Sequence, residues 1–182
     1  MYYSIVRLED YPDFIEETKK YLFNKIQEEF GLGYVPEYHY DIVDLEKTYI
    51  LPKRNSFFIA LNPKNEIIGT IGIRGYDKNF EIFKDKYTID GTASLWRTYI
   101  DKEYKRHKIG TNLVSIAEEF AKDKHYNEIY LHTQKDVIEG YHFWSSLDYK
   151  KTVENGDTIH MEKKLSVLDV QYINKEQLAK SI

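Results

Sequence analysis

Four consecutive basic residues lie between a strand-like segment and an amphipathic segment in the second half of the chain. They are Lys105, Arg106, His107 and Lys108, and they are followed by Gly110, which lets the backbone approach a ligand closely. The first N–H groups of a helix lack internal partners, and the helix dipole gives them partial positive charge. Such a junction favours an anion, most often phosphate. A solvated basic loop before an ordinary helix would give the same pattern.

Two arginines, Arg74 and Arg97, fall on strands that are expected to be neighbours in the sheet. Arginines on inner strands are rarely buried without a partner. They could bind a carboxylate or another anion of a substrate, or they could pair with Asp or Glu of the protein. Alternation along the strand is predicted to place Leu95, Arg97 and Tyr99 on one face and Trp96, Thr98 and Ile100 on the other.

Hydrophobic periodicity supplies the elements that would position these residues. Strands are predicted over residues 4–8, 57–61, 67–74, 93–100, 127–133 and 157–165, and helices over residues 13–30, 38–49, 111–124 and 137–147. Residues 75–91 are predicted to form a polar loop with a short helical piece. Strands and helices alternate in the second half, which indicates a mixed sheet covered by helices.

Composition excludes several classes of protein. A length of 182 residues suits one domain. The absence of cysteine excludes disulfides, cysteine-ligated metals and an acyl-cysteine intermediate. A net charge of −4 argues against nucleic acid as a partner, and the apolar runs are too short to span a membrane. The histidines show no metal-ligand spacing. We expect a cytoplasmic protein without a metal.

The basic segment resembles the acetyl-CoA signature of the GNAT superfamily of N-acetyltransferases, (Arg/Gln)-x-x-Gly-x-(Gly/Ala) after a strand. Residues 105–110 occupy the six positions. The final glycine is present as Gly110, whereas Lys105 replaces Arg or Gln and Lys108 replaces the middle glycine. We expect Lys108 to tighten or reshape the loop. Residues 68–74 resemble the hairpin strand that precedes the signature in the family. Residues 140–149 resemble its late helix and turn, and residues 158–165 occupy the place of its final strand.

The resemblance spans roughly residues 4–165 and implies a fold. It predicts an α/β (α+β) domain over residues 1–165, with a mixed, mostly antiparallel central sheet flanked by helices and splayed parallel central strands. Residues 166–182 would be an appendage. A helical pattern at residues 174–180 makes the appendage a candidate homodimer contact, or else a segment that frays in solvent.

The same resemblance implies direct transfer of an acetyl group from acetyl-CoA to an amine of a small molecule or peptide. Backbone groups of the central strand would bind the pantetheine arm, and backbone N–H groups of the basic loop would bind the pyrophosphate. The residues expected at the cofactor are Thr98, Tyr99, Ile100, Lys105, Arg106, His107, Lys108, Ile109, Gly110 and Thr111.

Three residues are catalytic candidates by this resemblance. His132 lies where some relatives place a catalytic carboxylate, and its imidazole suits proton relay at neutral pH; a histidine bonded to a sheet neighbour or to water is the alternative. Trp144 replaces the usual acid tyrosine and can only donate a hydrogen bond, although it could wall the channel near the sulfur. Tyr141, one turn earlier, could substitute or could simply pack in the core, and the thiolate could also leave without an acid.

Two other functions remain open at this point. Trp144 and the missing middle glycine would also suit a non-catalytic acyl-CoA-binding sensor or regulatory module. An unrelated α/β domain that binds a different phosphate ligand is the third possibility.

Overall fold

One seven-stranded sheet organises the chain, in the order β1-β2-β3-β4-β5-β7-β6. The computed structural model describes residues 2–78 and 80–166. The strands are β1 Ser4–Arg7, β2 Ser56–Leu61, β3 Ile67–Gly75, β4 Thr92–Ile100, β5 Glu128–Gln134, β6 Lys150–Asn155 and β7 Thr158–Lys164, and the helices are α1 Ile15–Phe30, α2 Pro36–Val43, α3 Ile109–Asp123 and α4 Ile138–Ser146. Among the strands of the described residues, β4 and β5 pair in parallel and all other neighbours pair antiparallel. The predicted mixed, mostly antiparallel sheet flanked by helices is confirmed.

The sheet is buried on both faces, which is why β2 and β3 are entirely buried. On one face, Leu113, Ala117 and Ala121 form the apolar stripe of α3, and α4 packs beside it. On the other face, Leu22 and Ile26 of α1 pack with residues of α2 and β2. We call these the α3 face and the α1 face.

Two predicted elements differ from the structure. Where one final strand was predicted over residues 157–165, the structure has a hairpin of two strands, β6 and β7. The hairpin turns at Gly156, whose φ of 57° is left-handed. Strand β6 is mostly exposed and polar, so hydrophobic periodicity gave no signal for it. The helix predicted over residues 38–49 is divided into α2 and a π-helical turn, Glu46–Ile50.

The loop between β3 and β4 was predicted to be polar, but it buries several aromatic side chains. Tyr76, Phe83 and Tyr87 are buried and pack against Tyr130 of β5, with ring centroids 5.1, 5.8 and 5.2 Å from the Tyr130 ring. The expected short helical piece is present as a 3-10 turn, Glu81–Phe83. Aromatic burial therefore fastens this loop to the α1 face of the sheet.

Apart from Ser166, the appendage expected at residues 166–182 lies outside the described residues. In the ranges that the structure describes, none of the helices combines the length and the apolar character needed to cross a bilayer.

Candidate active site

The two parallel strands part in the middle of the sheet. Strands β4 and β5 pair only from Thr92↔Glu128 to Ser94↔Tyr130. Beyond that point β4 stays paired with β3, and β5 stays paired with β7. A gap therefore opens between Ile100 at the end of β4 and Gln134 at the end of β5. The predicted splay of the central strands is confirmed.

A β-bulge interrupts β4 where the gap opens. The register with β3 passes from Gly72↔Trp96 to Thr70↔Tyr99, so that Arg97 and Thr98 have no paired positions of their own. Arg97 has a left-handed φ of 50°, and its carbonyl accepts a 2.7 Å hydrogen bond from the Thr70 hydroxyl. The backbone of Arg97 and Thr98 thus borders the gap without belonging to either ladder.

The bulge makes the predicted alternation of β4 wrong. Leu95 and Ile100 pack into the core on the α3 face, whereas Trp96 and Tyr99 pack on the α1 face. Arg97 also points to the α1 face, where it contacts Asp41 of α2. The extra residue reverses the side-chain alternation, so Tyr99 and Leu95 lie on opposite faces although they are four residues apart.

Helix α3 begins two residues earlier than predicted, directly after Lys108. Its first helical hydrogen bond runs from the Asn112 N–H to the Lys108 carbonyl, at 2.9 Å. The N–H groups of Ile109, Gly110 and Thr111 therefore precede the helical ladder. Within residues 2–78 and 80–166 no side chain caps this end, and its first turn carries no acidic residue. The end of α3 consequently has the free donors and the positive potential of an anion site.

The basic loop before α3 has a glycine-like backbone. Arg106 and Lys108 have φ of 65° and 63°, in the left-handed region that favours glycine. Lys108 occupies the position of the middle glycine of the signature, so the lysine keeps the conformation that glycine would adopt. Lys105 pairs with Glu139 of α4 at 2.9 Å, while Arg106, His107 and Lys108 are exposed.

Gly110 also has a packing role that was not predicted. A Cβ atom at this position would lie 3.2 Å from Cζ of Phe143 and 3.6 Å from Cγ1 of Ile100. The missing side chain therefore makes room for α4 and β4 within the core. The close approach that requires glycine is between α3 and Phe143.

The end of β4 is held by α1. Asp101 accepts a 3.0 Å hydrogen bond from the Tyr21 hydroxyl and lies 2.8 Å from the Lys25 ammonium. Burial and then Asp101 raise the pKa of Tyr21, so this phenol remains a donor. These contacts fix the point at which the basic loop leaves the sheet.

His132 projects from β5 to the α1 face. Its ring packs edge-on against Trp96 of β4, with centroids 5.5 Å apart, and against Phe80 at 6.5 Å. Burial lowers the pKa of His132 to about 4, and the nearby positive charge of Lys78 adds to this effect. The imidazole is therefore neutral at pH 7 and can accept a proton, although it is a weaker base than an ordinary histidine.

Tyr141 and Trp144 lie on the α3 face, opposite His132. Trp144 is 7 % exposed and packs on Phe143 and Tyr149, with centroids 5.0 and 5.3 Å away. Tyr141 is partly buried against the same core. His132 and these two residues can meet one ligand only across the gap.

Arg97 is neutralised by the protein. Its Nε and Nη2 donate to the two oxygens of Asp41 at 3.0 and 2.6 Å, and Nη2 also donates to the Tyr38 carbonyl. Asp41 accepts a further 2.8 Å hydrogen bond from Tyr49. Although burial opposes ionisation, Arg97 and Tyr49 hold the pKa of Asp41 below its usual value. Of the two alternatives that the sequence left open for this arginine, the structure shows pairing with a carboxylate of the protein.

Arg74 is less completely satisfied. It is 2 % exposed, its Nη2 donates to the Tyr40 hydroxyl at 3.0 Å, and the same atom lies 3.3 Å from Asp77. Its Cζ lies 4.2 Å from the centre of the Trp96 ring. Among the described residues, neither Nε nor Nη1 of Arg74 has a hydrogen-bond partner, and neither does Nε1 of Trp96. The two predicted substrate arginines thus share the α1 face but differ in how far their charge is compensated.

Lys78 lies beside Arg74 and Trp96, although the sequence analysis did not predict a role for it. Its Nζ lies 4.6 Å from the centre of the Trp96 ring. The residue comes from the loop between β3 and β4, and its place depends on how the neighbouring aromatic residues fasten that loop. The sequence around Lys78 carries no motif that could have indicated it.

Residues 19–149 match the Acetyltransferase (GNAT) family. The chain belongs to this family. The matched range begins in α1 and includes the parted strands, the basic loop, α3 and α4.

Relatives and solved GNAT structures agree with this membership. The chain is 25 % identical over 112 residues to N-acetyltransferase 8 of Homo sapiens and 26 % identical to N-acetyltransferase 8B of Homo sapiens, in each case over 62 % of this chain and 46 % of the relative. It therefore spans about half the length of the curated relatives it matches. A GNAT-family acetyltransferase from Staphylococcus aureus Mu50 superposes with a TM-score of 0.73 at 21 % identity, covering 91 % of this chain and all of that one. An acetyltransferase from Streptococcus agalactiae 2603 gives 0.71 at 20 % identity, over 90 % and 98 %. These structural similarities establish the GNAT fold.

A cleft and the question of a metal remain to be described for this GNAT chain. A surface cleft of about 560 Å³ lies beside Arg74 and Tyr40 and is also lined by Asp77 and Asn55. Within the ranges 2–78 and 80–166, no group of three or more His, Cys, Asp or Glu residues is arranged to hold a metal ion.

Proposed function

We propose that this GNAT chain is an N-acetyltransferase that moves an acetyl group from acetyl-CoA to an amine of a small molecule or peptide. One observation carries the proposal: β4 and β5 part at Ser94 and Tyr130, and β4 leads from the gap directly to the uncapped end of α3. A gap between strands accepts a flexible arm, and a helix end with free N–H groups accepts a diphosphate.

The cofactor side is assigned to backbone groups. In this proposal the pantetheine amides bond to the backbone of Thr98 and Ile100, beside Tyr99. The pyrophosphate accepts hydrogen bonds from the N–H groups of Ile109, Gly110 and Thr111. Lys105, Arg106, His107 and Lys108 supply positive potential around it. Because peptide groups make the contacts, Lys108 is compatible with binding as long as its backbone remains left-handed.

The acceptor approaches from the α1 face. Its amine nitrogen attacks the thioester carbonyl carbon, and the carbonyl oxygen becomes an oxyanion. The backbone N–H groups at the Arg97–Thr98 bulge lie outside the strand ladders and are the proposed donors to that oxyanion. Once the new C–N bond has formed, the nitrogen is acidic enough for neutral His132 to take its proton. The C–S bond then breaks and the CoA thiolate leaves.

Protonation of the leaving thiolate is assigned to Tyr141 or to water. Tyr141 lies on the α3 face, so it must act through the gap. Trp144 can only form part of the channel wall near the sulfur, because its indole N–H does not transfer a proton at neutral pH.

Cytoplasmic location and a dimer contact by the tail stay predictions.

Titration calorimetry with acetyl-CoA tests the cofactor site. Thr111→Glu places a carboxylate in the first turn of α3, where it favours the helix dipole but repels a diphosphate. We expect this variant to fold and to bind acetyl-CoA at least about 10-fold more weakly, since one unfavourable charge contact exceeds about 1.4 kcal/mol. Ser115→Glu, one turn further along the same helix and also exposed, is the matched control. Absence of wild-type binding at millimolar acetyl-CoA would contradict the proposal.

Release of free thiol over a broad panel of amines tests turnover. Tight binding of acetyl-CoA without turnover of any amine would instead support an acyl-CoA-binding sensor. The buried Trp144 in place of the usual tyrosine is the observation that favours this second function.

A further inference from the structure

The α1 face of the gap carries a buried cationic cluster, formed by Arg74, Lys78 and Trp96. Arg74 is almost fully buried, yet its Nε and Nη1 have no partner among the described residues, and the same holds for the indole Nε1 of Trp96. Native structures leave few buried donors unpaired, and such groups commonly mark a site for a ligand or water. These three donors belong to two side chains in contact, since the Arg74 guanidinium lies 4.2 Å from the centre of the Trp96 ring.

The charges around this cluster do not balance. Three cations, Arg74, Lys78 and Arg97, meet two carboxylates, Asp41 and Asp77. Asp41 is occupied by Arg97 and by the Tyr49 hydroxyl, and Asp77 reaches only the Nη2 end of Arg74. Burial and the charge of Arg74 lower the pKa of Lys78. One positive charge remains without a carboxylate in this set.

The cluster lies next to the proposed base. The Trp96 ring contacts the Arg74 guanidinium on one side and the His132 ring at 5.5 Å on another. A ligand group held by Arg74 would therefore lie about one indole ring away from His132. That spacing suits a small molecule in which an anionic group and an amine are separated by a few bonds.

We propose that Arg74 and Lys78 bind a carboxylate of the acceptor, so that the preferred substrates are small amines that also carry a carboxylate, as amino acids do. This inference rests on the proposed N-acetyltransferase function. Arg74 and Trp96 supply hydrogen-bond donors to the carboxylate, and Lys78 supplies a second positive charge. Arg97 is given no part, because its Nε and Nη2 already donate to Asp41 and to the Tyr38 carbonyl and its charge is paired with Asp41.

Entry to the cluster requires small movements of side chains. Tyr40, whose hydroxyl accepts from Arg74, is 43 % exposed. Lys78 belongs to a loop and is only partly buried. Displacement of these two side chains would open the guanidinium towards the neighbouring cleft and the gap. A bound carboxylate would also offset the positive charge of Lys78 that depresses the pKa of His132, which would make His132 a stronger base for such acceptors.

Matched amine pairs test the inference. Thiol release is measured with free amino acids and with their carboxamides, which keep the amine and lose the charge. Wild type should use the free acids with at least about 10-fold higher kcat/KM. Arg74→Gln and Lys78→Met should lower kcat/KM for the acids, by about 100-fold for Arg74→Gln because a buried charge pair is lost. Both variants should change the carboxamide values only a few-fold.

Controls separate this inference from the proposed function. Arg7→Gln removes an arginine from the edge strand β1, where it pairs with Glu9, and should leave the acid preference intact. Lys78→Met alters a partly buried loop residue and keeps the test informative if Arg74→Gln fails to fold. Equal use of acids and carboxamides would overturn the carboxylate site while leaving acetyl transfer in place.

If acetyl-CoA binds but no amine is turned over, the carboxylate site is tested by direct titration of ligands instead of by activity. N-acetylglycine and N-acetylglycinamide are titrated into wild type and Lys78→Met and followed by NMR. Preferential binding of the acid by wild type, reduced in Lys78→Met, supports the carboxylate site. Equal binding of both compounds overturns it. Failure of acetyl-CoA itself to bind in calorimetry contradicts the proposed function, whatever this titration gives.

Discussion

The Arg97 guanidinium on β4 and the Asp41 carboxylate on α2 form a buried ion pair with two hydrogen bonds, 3.0 and 2.6 Å long. Their side chains are only 11 % and 1 % exposed. The pair ties α2 to the sheet beside the bulge, and it fixes the strand at the point where the proposed oxyanion donors lie. Its two members are therefore expected to matter for stability.

Asp41→Asn should destabilise the fold by about 3–5 kcal/mol, because it leaves the buried Arg97 charge uncompensated. Chemical denaturation measures the change. Lys47→Gln breaks the exposed pair with Asp44, whose side chains are 75 % and 54 % exposed, and should cost less than about 1 kcal/mol. Similar losses for the two variants would show that the Arg97–Asp41 pair is no more important than a surface contact.

Lys108 offers a test of the glycine-like loop. Lys108→Gly and Lys108→Ala remove the same charge, but only glycine relieves the left-handed φ of 63°. We expect the glycine variant to be more stable than the alanine variant by about 1 kcal/mol, as measured by thermal unfolding. Their affinities for acetyl-CoA should be reduced equally. An alanine variant as stable as the glycine variant would argue against a left-handed residue here.

Gly110 should report on the contact between α3 and α4. Gly110→Ala brings a Cβ atom within 3.2 Å of Phe143 and should destabilise the fold by about 1 kcal/mol or more through overpacking. Phe143→Leu shortens the facing side chain, so the double variant should recover part of that loss. A double-mutant cycle measures the coupling. Additive effects would show that the two residues do not touch.

His132 should make stability depend on pH. Its pKa of about 4 in the folded chain lies below the value near 6.5 expected when unfolded, so the unfolded state binds the proton more readily. The stabilisation is complete above pH 6.5 and is lost as pH falls towards 4, by up to about 3 kcal/mol. His132→Phe should reduce the slope of the unfolding free energy across this range, and the slope that remains reflects His39 and His160, whose pKa values are also lowered by burial. His142→Gln, at an exposed position on α4, should leave the slope unchanged.

Turnover should respond to the same histidine. His132→Ala is expected to lower kcat more at neutral than at alkaline pH, because hydroxide becomes abundant at high pH and can take the proton from the attacking nitrogen in place of His132. Thiol release at a series of pH values measures this difference. An identical drop at both ends of the series would argue against a base at position 132.

Most of the fold followed from patterns that depend on burial. The stripe of α3 and the apolar runs of β2 and β3 are set by buried side chains, and these were readable from sequence. The edge strand β6 was missed because a largely exposed strand needs no apolar face. The loop between β3 and β4 was predicted as polar because its buried aromatic residues are separated by polar ones, and only the contact with Tyr130 shows their common role.

The proposed cofactor side of the site rests on a local sequence pattern, whereas the proposed acceptor side does not. A helix end preceded by a basic run is a local feature, so residues 105–111 could be recognised without the tertiary structure. The acceptor side combines Arg74 of β3, Trp96 of β4, His132 of β5 and Lys78 of a loop. No spacing in the chain brings these four together, and the bulge at Arg97 moves Trp96 and Arg97 to one face against simple alternation.

The bulge also has a consequence for anyone who redesigns this strand. Because one residue is inserted at positions 97–98, the two halves of β4 are out of phase, and a deletion of a single residue there would restore regular counting. If Thr98 were the residue removed, Tyr99 and Ile100 would keep their partners Thr70 and Gly69 and their present faces, whereas Arg97 would turn from the α1 face to the α3 face and leave Asp41. A one-residue deletion would therefore leave both linings of the crevice in place and remove the buried ion pair together with the backbone groups that the bulge keeps out of the ladders.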